Sequence, residues 1–413
     1  MAITTESAFL IFGGILIIGY FGELLAKKFS VPSALLLLLI GYLLKFTGYV
    51  EIESIVGIQD LFGSLALIVL LFDGGLTLNL REVLFKSGRV LLLAFLTTVV
   101  AIILSIALFN FLGINPIIGA IFGAIAGGIG STTTISIASS LKLPDRIKNF
   151  LTLESSITDV FSIILTIVLT QTLLSGSIDF QIISQGIASR FSTGLIIGAV
   201  TGIISLAILS KIQKGYNYMV TFAIVLILYA VTEFLAGSGA IAVLVFGLLF
   251  GNENAIRNAL KLDINAGKRP IIKQFQNEIS FFIRTFFFVF LGIVVQIGNL
   301  NTLMIAVYLL VILYITRYLC VNIANYKDPV SEFNKILIAI NPRGLATAVL
   351  ATYPVIAVQN AMKTSPNGFL KIISEQIATL PEIAFYTIVL SIVFTTILVP
   401  FAMNGKGLKK NVK

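Results

Sequence analysis

The sequence predicts an all-α polytopic protein that crosses a membrane many times. Apolar residues make up 57% of its 413 residues, charged residues only 11%, and the mean hydropathy is +1.03. Soluble domains contain roughly 45–50% apolar and about 25% charged residues, so a single water-soluble core could not hide this much apolar surface. The apolar stretches are continuous rather than alternating, which favours membrane-spanning helices.

The apolar residues fall into thirteen segments separated by Gly, Pro and charged clusters. Most approach the roughly 20 residues that a helix needs to cross the hydrocarbon core. Thirteen such helices use most of the chain, so we expect a single transmembrane unit over 1–413 with no soluble domain. The segments are 7–26, 31–48, 60–80, 90–112, 116–140, 149–174, 190–210, 217–236, 238–251, 276–297, 303–321, 336–358 and 381–403.

Basic residues concentrate in alternate loops between these segments. If the N-terminus lies outside the cell, 21 of the 28 Lys and Arg residues fall in cytoplasmic loops or in the C-terminal tail, and only Lys45, Arg190, Lys363 and Lys371 in the opposite loops. This asymmetry is the positive-inside pattern, and it predicts a cell-membrane protein with its N-terminus outside and its C-terminus in the cytoplasm. The pattern also accounts for the net charge of +9, so we expect membrane lipid and no nucleic acid as a partner.

Residue types that the sequence lacks narrow its chemistry. The chain has no His, one cysteine (Cys320) and no phosphate-binding G-x-x-x-x-G-K-[ST] loop. Without that loop we expect no ATPase, no cofactor and no enzymatic activity, so transport would be driven by ion gradients. Without His, proton exchange near neutral pH would fall to buried carboxylates.

Two segments contain residues that weaken helices. The fifth contains Gly, Ser and Thr residues over 127–134, and the twelfth contains Asn-Pro-Arg-Gly-Leu-Ala-Thr over 341–347. They lie seven segments apart and would cross the membrane in opposite senses. This is the signature of inverted repeats with two discontinuous helices that cross at a midplane site. The alternative is that the small residues only let helices pack closely.

The sixth segment carries two carboxylates, Glu154 and Asp159. Asp159 lies about ten residues, or roughly 15 Å, from the inner end of its helix, which places it near the middle of the bilayer. Ser155, Asp159 and Ser162 share one helix face and could form an oxygen cage for a monovalent cation. The alternative is a structural carboxylate hydrogen-bonded to the broken fifth segment. Intramembrane charges are costly, so Asp159 is the first functional candidate.

Other intramembrane charges have less specific interpretations. Glu154 diverges from Asp159 by about 140° around the helix and needs a different partner, for which Arg343 is the natural candidate because an unpaired buried charge is costly. Asp73 lies in the middle of the third segment. There it either lines the cavity through which the ion would pass or hydrogen-bonds the free backbone groups of a helix end. Glu233 lies near the outer rim of the membrane and Arg317 near the inner end of its segment, and we expect both to be solvated.

One carboxylate can couple a cation to a proton. Burial disfavours the charged form of Asp159, and a bound cation favours it. If the site opens to one side at a time, competition gives exchange, and one unit of pH gradient drives about a tenfold cation gradient at one-for-one stoichiometry.

Five motifs carry a family resemblance. The stretch from Glu154 to Asp159 resembles the E-S-x-x-N-D stretch in the sixth helix of monovalent cation/proton antiporters and is most similar to the electroneutral NhaP-type sodium/proton branch. The other motifs resemble the family's third, fifth, tenth and twelfth helices, in that order. They are Leu71–Leu76, Gly130–Thr132, Phe287–Gly292 and Asn341–Ala346.

The resemblance implies a homodimer of thirteen-helix protomers. Each would have a six-helix ion-transport bundle, built in part from about 60–174 and 276–403, and a dimerisation domain from the remaining helices. The bundle would move relative to the dimerisation domain in an elevator-like cycle. The implied cation and proton site consists of Asp159, Ser155, Thr158 and the backbone near Ser131 and Thr132, with Glu154 paired to Arg343 as a structural strut.

The sequence departs from the family pattern at two positions. Thr158 stands where electroneutral members have Asn and electrogenic members have Asp, so it adds no second titrating carboxylate. Thr133, which we place at the cavity, stands where sodium-selective relatives often have Asp. The cage then loses a negative charge, which leaves sodium and potassium both open as substrates.

The leading hypothesis is thus an electroneutral sodium/proton or potassium/proton antiporter. Two alternatives use related crossed helices. A potassium efflux channel would have a continuous pore and no obligatory proton coupling. A sodium-coupled symporter of an organic anion would need a larger pocket and a cationic group free to meet the anion, for which Arg343 is the obvious candidate.

Overall fold

The computed structural model describes residues 5–29, 33–46, 52–77, 88–141, 143–175, 180–209, 217–260, 269–294, 299–364 and 368–403. These ranges form seventeen α-helices and one short 3-10 helix, and no β-strand occurs within them. The helices are α1 (Thr5–Phe29), α2 (Ser33–Phe46), α3 (Ile52–Thr77), α4 (Gly88–Phe111), α5 (Pro116–Gly127), α6 (Ser131–Ser140), α7 (Asp145–Ser175), α8 (Phe180–Leu209), α9 (Asn217–Phe234), α10 (Gly239–Gly251), α11 (Glu253–Leu260), α12 (Arg269–Val294), α13 (Leu300–Ala324), the 3-10 helix (Pro329–Phe333), α14 (Asn334–Ala339), α15 (Leu345–Thr364), α16 (Gly368–Ile377) and α17 (Leu380–Met403).

The predicted class, an all-helical multi-pass membrane protein, is confirmed. Among the described residues, six helical stretches are long and apolar enough to cross a membrane by length and composition, and six further apolar helices have 10–17 residues. The count of thirteen spans stays a prediction.

Both segments that were predicted to be discontinuous are split. The fifth segment forms α5 and α6, with residues 128–130 between them, and the twelfth forms α14 and α15, with residues 340–344 between them. We call residues 128–130 the first break and residues 340–344 the second break.

The chain divides into two compact units. The first contains residues 1–63, 87–170 and 285–413, and the second contains 64–86 and 171–284. Three of the four boundaries fall inside α3, α7 and α12, and the fourth, between residues 86 and 87, lies outside the described ranges. The ion-transport bundle and dimerisation domain expected from the sequence stay a prediction.

Glycines bring α5 close to α4 in the first unit. A Cβ atom at Gly119 would lie 2.7 Å from the carbonyl oxygen of Ser105, and one at Gly123 would lie 2.6 Å from Cα of Ile102. Small residues at i, i+4 spacing permit such close helix packing in a membrane. This contact fixes the path of α5 as it approaches the first break.

Glycine also permits close packing of α8 on α10 in the second unit, where a Cβ atom at Gly198 would lie 2.8 Å from Cα of Ala242. At the start of α10, the Glu233 carboxylate accepts the N–H of Gly239 at 2.8 Å and pairs with Arg190 at 3.5 Å. The expectation that Glu233 is only solvated is therefore wrong. The first N–H groups of an α-helix have no partner within the helix, and the half-buried Glu233 side chain supplies one to α10.

Candidate cation and proton site

The first break is an extended stretch between two helix ends. Gly128 has φ −87° and ψ 162°, and Gly130 has φ −67° and ψ 120°, both of which any residue can adopt. Residues 121–130 are buried throughout. Backbone that leaves the helix at this depth must find partners within the protein.

The first break finds such a partner in the second break. The Gly130 N–H donates to the carbonyl of Pro342 at 2.9 Å. A Cβ atom at Gly130 would lie 2.6 Å from the nitrogen of Gly344 and 2.9 Å from its Cα. The two backbones touch, and only glycine fits at position 130.

Two helices begin directly beyond this contact. α6 starts at Ser131 and α15 at Leu345, one residue after Gly130 and Gly344 respectively. The N-terminal ends of α-helices carry partial positive charge. The contact between the breaks thus brings together two helix ends that favour an anionic side chain.

α7 packs against the first break. A Cβ atom at Gly128 would lie 2.6 Å from Cβ of Thr158 and 3.3 Å from Oγ of Ser162. Asp159 follows Thr158 in α7, and its residue is only 8% exposed. The face of Ser155, Asp159 and Ser162 identified from helical spacing is therefore buried, and its Ser162 end lies against the first break.

The hydroxyl groups of α7 retain oxygen lone pairs for coordination. Ser155 Oγ donates to the carbonyl of Thr152 at 3.0 Å, and Thr158 Oγ1 donates to the carbonyl of Ser155 at 3.1 Å. A hydroxyl that donates its proton still has acceptor capacity. Within the described ranges no group of three or more His, Cys, Asp and Glu residues could hold a metal ion. Oxygen ligands with a single carboxylate suit a monovalent cation.

Glu154 pairs with Arg317 and not with Arg343, which corrects the predicted strut. Arg317 Nη1 contacts Glu154 Oε1, and Nη2 donates to Oε2 at 3.0 Å. Arg317 Nε also donates to the carbonyl of Leu337 in α14 at 2.8 Å. Both charged residues are buried, with Glu154 fully inaccessible and Arg317 2% exposed. The expectation that Arg317 is solvated is also wrong.

A helical pattern in the sequence could have placed Arg317 correctly. Its distance from the segment end suggested solvent, but α13 continues to Ala324. Leu313, Arg317, Cys320 and Ala324 recur at spacings of three and four and are all buried, whereas Tyr318 is exposed. Arg317 therefore lies on the core-facing stripe.

Arg343 lies inside the second break and is 1% exposed. Its Nη1 donates to both Asn341 oxygens, to the side chain at 2.9 Å and to the backbone at 3.2 Å. Among the described residues no carboxylate lies within ion-pair distance of its guanidinium, and its Nε has no hydrogen-bond partner. Arg343 thus lies next to the contact between the two breaks and is bonded to Asn341.

The remaining predicted site residues are placed as follows. Ser131 begins α6 and is half-buried; Thr133 is buried, and its Oγ1 would lie 3.2 Å from a Cβ atom at Gly344. The side chain of Thr132 lies outside what the structure describes. Asp73 is half-buried in the second unit, where its carbonyl accepts the Thr77 hydroxyl at 3.0 Å. The ion-binding roles of Ser131 and Thr132, and the positions of Thr133 and Asp73 at the ion cavity, stay predictions.

The chain belongs to the sodium/hydrogen exchanger family. The sequence profile described as "Sodium/hydrogen exchanger, transmembrane" matches residues 13–404. Its members are membrane transporters and not enzymes, which agrees with the predicted class and with the predicted NhaP-type family.

Individual relatives are similar over different lengths. The "Probable Na(+)/H(+) antiporter 2" of Methanocaldococcus jannaschii is 27% identical over 388 residues, which cover 89% of this chain and 90% of that protein. The "K(+)/H(+) antiporter NhaP" of Alkalimonas amylolytica is 26% identical over 250 residues, which cover 59% of this chain and 43% of that protein. Their names refer to cation/proton antiport with different cations.

Solved structures show the same fold. The structure of the sodium proton antiporter MjNhaP1 from Methanocaldococcus jannaschii at pH 8 matches with a TM-score of 0.77 and 23% sequence identity. The match covers 94% of this chain and 98% of that chain.

Proposed function

We propose that this protein is an electroneutral antiporter that exchanges one sodium or potassium ion for one proton at Asp159. The observation that carries the proposal is the position of Asp159, a buried carboxylate one residue from the contact between α7 and the first break. Membership of the sodium/hydrogen exchanger family and relatives named for sodium/proton and potassium/proton antiport support it.

Competition at one carboxylate is the proposed coupling. A cation replaces the proton on Asp159, with further oxygens from Ser155, Thr158 and the backbone near Ser131 and Thr132. Thr158 carries no ionisable group, so the site binds either one proton or one cation and transports no net charge.

Alternating access is the proposed transport cycle. The two breaks would form the crossing of two discontinuous helices in inverted repeats, and the bundle that carries Asp159 would move as an elevator against a dimerisation domain. We propose a homodimer in the cell membrane with the N-terminus outside and the C-terminus in the cytoplasm. The contact of Gly130 with Pro342 and Gly344 supports the crossing.

Exchange in proteoliposomes tests the function. We expect sodium or potassium to dissipate a preset pH gradient with the wild-type protein, and Asp159→Asn to abolish this response because the amide cannot exchange a proton. Asp145→Asn is the matched control, since Asp145 is an exposed carboxylate in the first turn of the same helix. Retained exchange in the Asp159→Asn variant would disprove the proposal.

Electroneutrality and competition need separate measurements. We expect the exchange rate to be independent of a membrane potential imposed with valinomycin. Lowering the pH is expected to raise the cation concentration for half-maximal exchange, because protons and cations compete. A rate that follows the potential would contradict one-for-one exchange, and cation flux without proton movement would indicate a channel.

One observation favours a second candidate, the sodium-coupled symport of an organic anion. Arg343 meets no carboxylate among the described residues, so its charge is available to an anion, although Nη1 already bonds Asn341. Sodium-dependent uptake of a radiolabelled dicarboxylate into the same liposomes would support this candidate. Its absence would leave antiport as the function.

A further inference from the structure

We propose that Ser391 and Thr395 of α17 are positioning residues that hold the second break in the conformation the ion site requires. The inference rests on the proposed function and extends it to residues outside α7 and the breaks. Ser391 is 1% exposed and Thr395 fully inaccessible, and they lie four residues apart on one face of α17.

These two hydroxyl groups satisfy backbone donors of the second break. Ser391 Oγ accepts the N–H of Arg343 at 2.9 Å, and Thr395 Oγ1 accepts the N–H of Asn341 at 3.3 Å. Pro342, which lies between Asn341 and Arg343, has no N–H to pair. Unpaired backbone donors are costly at membrane depth, so the two hydroxyls replace the hydrogen bonds that the interrupted helix has lost.

α13 supports the same stretch through other contacts. The Asn341 side-chain amide donates to the carbonyl of Leu313 at 3.4 Å, and the Tyr314 hydroxyl lies 3.3 Å from Thr395 Oγ1. Arg343 bonds both oxygens of Asn341. The extended stretch is therefore held by polar groups of two helices, and α17 provides the acceptors for the N–H groups of Asn341 and Arg343.

The position of the second break also determines that of the first. The carbonyl of Pro342, between the two residues that α17 holds, accepts the N–H of Gly130. The first break in turn contacts Thr158 through Gly128. A shift of residues 341–343 would thus change the surroundings of the α7 face that carries Asp159, without removing any group that binds the ion.

The double variant Ser391→Ala with Thr395→Val tests this role. We expect the cation concentration for half-maximal exchange to rise about tenfold, which corresponds to about 1.4 kcal/mol, and the maximal rate to change less than twofold. The ratio of sodium to potassium exchange should also shift, because the cage geometry changes. A residue that only stabilised the fold would lower yield without moving these values.

The same helix offers a matched control and a conservative rescue. Thr387 is fully buried four residues before Ser391, but its hydroxyl donates only to the α17 carbonyl of Ile383 at 2.7 Å. Thr387→Val should therefore leave half-maximal concentration and selectivity unchanged. Thr395→Ser retains an acceptor and should behave like the wild type.

Hydrogen exchange provides a readout that is independent of transport. We expect faster exchange of the amides of Asn341 and Arg343 in Ser391→Ala and Thr395→Val, each measured as a single variant in case the double variant fails to fold. Wild-type amide protection together with wild-type affinity and selectivity would overturn the inference. An equal effect of Thr387→Val would also overturn it. If the wild-type protein showed no cation/proton exchange in proteoliposomes, that result would refute the proposed function instead.

Discussion

The pair of Glu154 and Arg317 joins three helices through one buried charge network. The guanidinium contacts both carboxylate oxygens and the carbonyl of Leu337, which connects α7, α13 and α14. Bidentate hydrogen bonds of this kind fix the relative orientation of the guanidinium and the carboxylate. The pair neutralises both charges within the unit, and Asp159 is the other buried carboxylate of α7, the one that the proposed exchange uses.

Removing one partner of this pair should destabilise the protein strongly. Glu154→Leu and Arg317→Met each leave an uncompensated buried charge, which costs about 3–5 kcal/mol. The double variant removes both charges and should melt closer to the wild type than either single variant. The measurement is the melting temperature of the purified protein in detergent, and additive losses in the double variant would contradict a direct pair.

Arg343→Met serves as the comparison for this set of single and double variants. Arg343 bonds Asn341 and meets no described carboxylate, so combining its substitution with Glu154→Leu should give no compensation.

At the scale of elements, the two breaks depend on glycine and on each other. Each interrupts a helix in the buried interior, and each satisfies part of the other's backbone through the bond from Gly130 to Pro342. Gly130 has an ordinary extended conformation, so its requirement is space and not backbone freedom. The N-terminal ends of α6 and α15, which begin directly beyond the two breaks, then lie beside the candidate cation and proton site.

Gly130→Ala should separate the two breaks. The new Cβ atom would lie 2.6 Å from the nitrogen of Gly344, and backbone cannot move aside as a side-chain end can. We expect loss of exchange and a lower melting temperature. Gly14→Ala in α1 is the control, because nothing lies within 4 Å of its Cβ position and alanine favours a helix by about 1 kcal/mol. Normal exchange by Gly130→Ala would show that the close contact is not needed.

At the scale of the whole molecule, the distribution of charge predicts orientation. The loops assigned to the cytoplasm and the C-terminal tail together contain 21 of the 28 basic residues, and the positive-inside rule applies to short loops of this kind. Ser331 and Lys363 are exposed residues on opposite predicted sides.

Cysteine labelling in intact cells tests this orientation. The natural cysteine, Cys320, is buried and should react little. We expect a membrane-impermeant maleimide to label Lys363→Cys in intact cells and Ser331→Cys only after permeabilisation. The reverse pattern would invert the proposed topology.

The general architecture and the centre of the site follow from sequence signals that act locally. Apolar runs, the residues that weaken helices over 127–134 and 341–347, and the 3.6-residue spacing of the α7 face predicted helices, breaks and a buried Asp159. The partner of Glu154 could not be predicted in this way. Two buried arginines were available, and the distance of Arg317 from its segment end did not reveal that α14 packs beside it.

The sequence by itself determined that this protein is a helical membrane transporter with two interrupted helices, since hydrophobicity, helix weakening and charge asymmetry are properties of consecutive residues. Only the tertiary structure decided that Arg317 pairs with Glu154, that Arg343 bonds Asn341 and that α17 accepts the N–H groups of Asn341 and Arg343. These outcomes depend on which distant helices meet, and hydrogen bonds and ion pairs form only over a few ångströms.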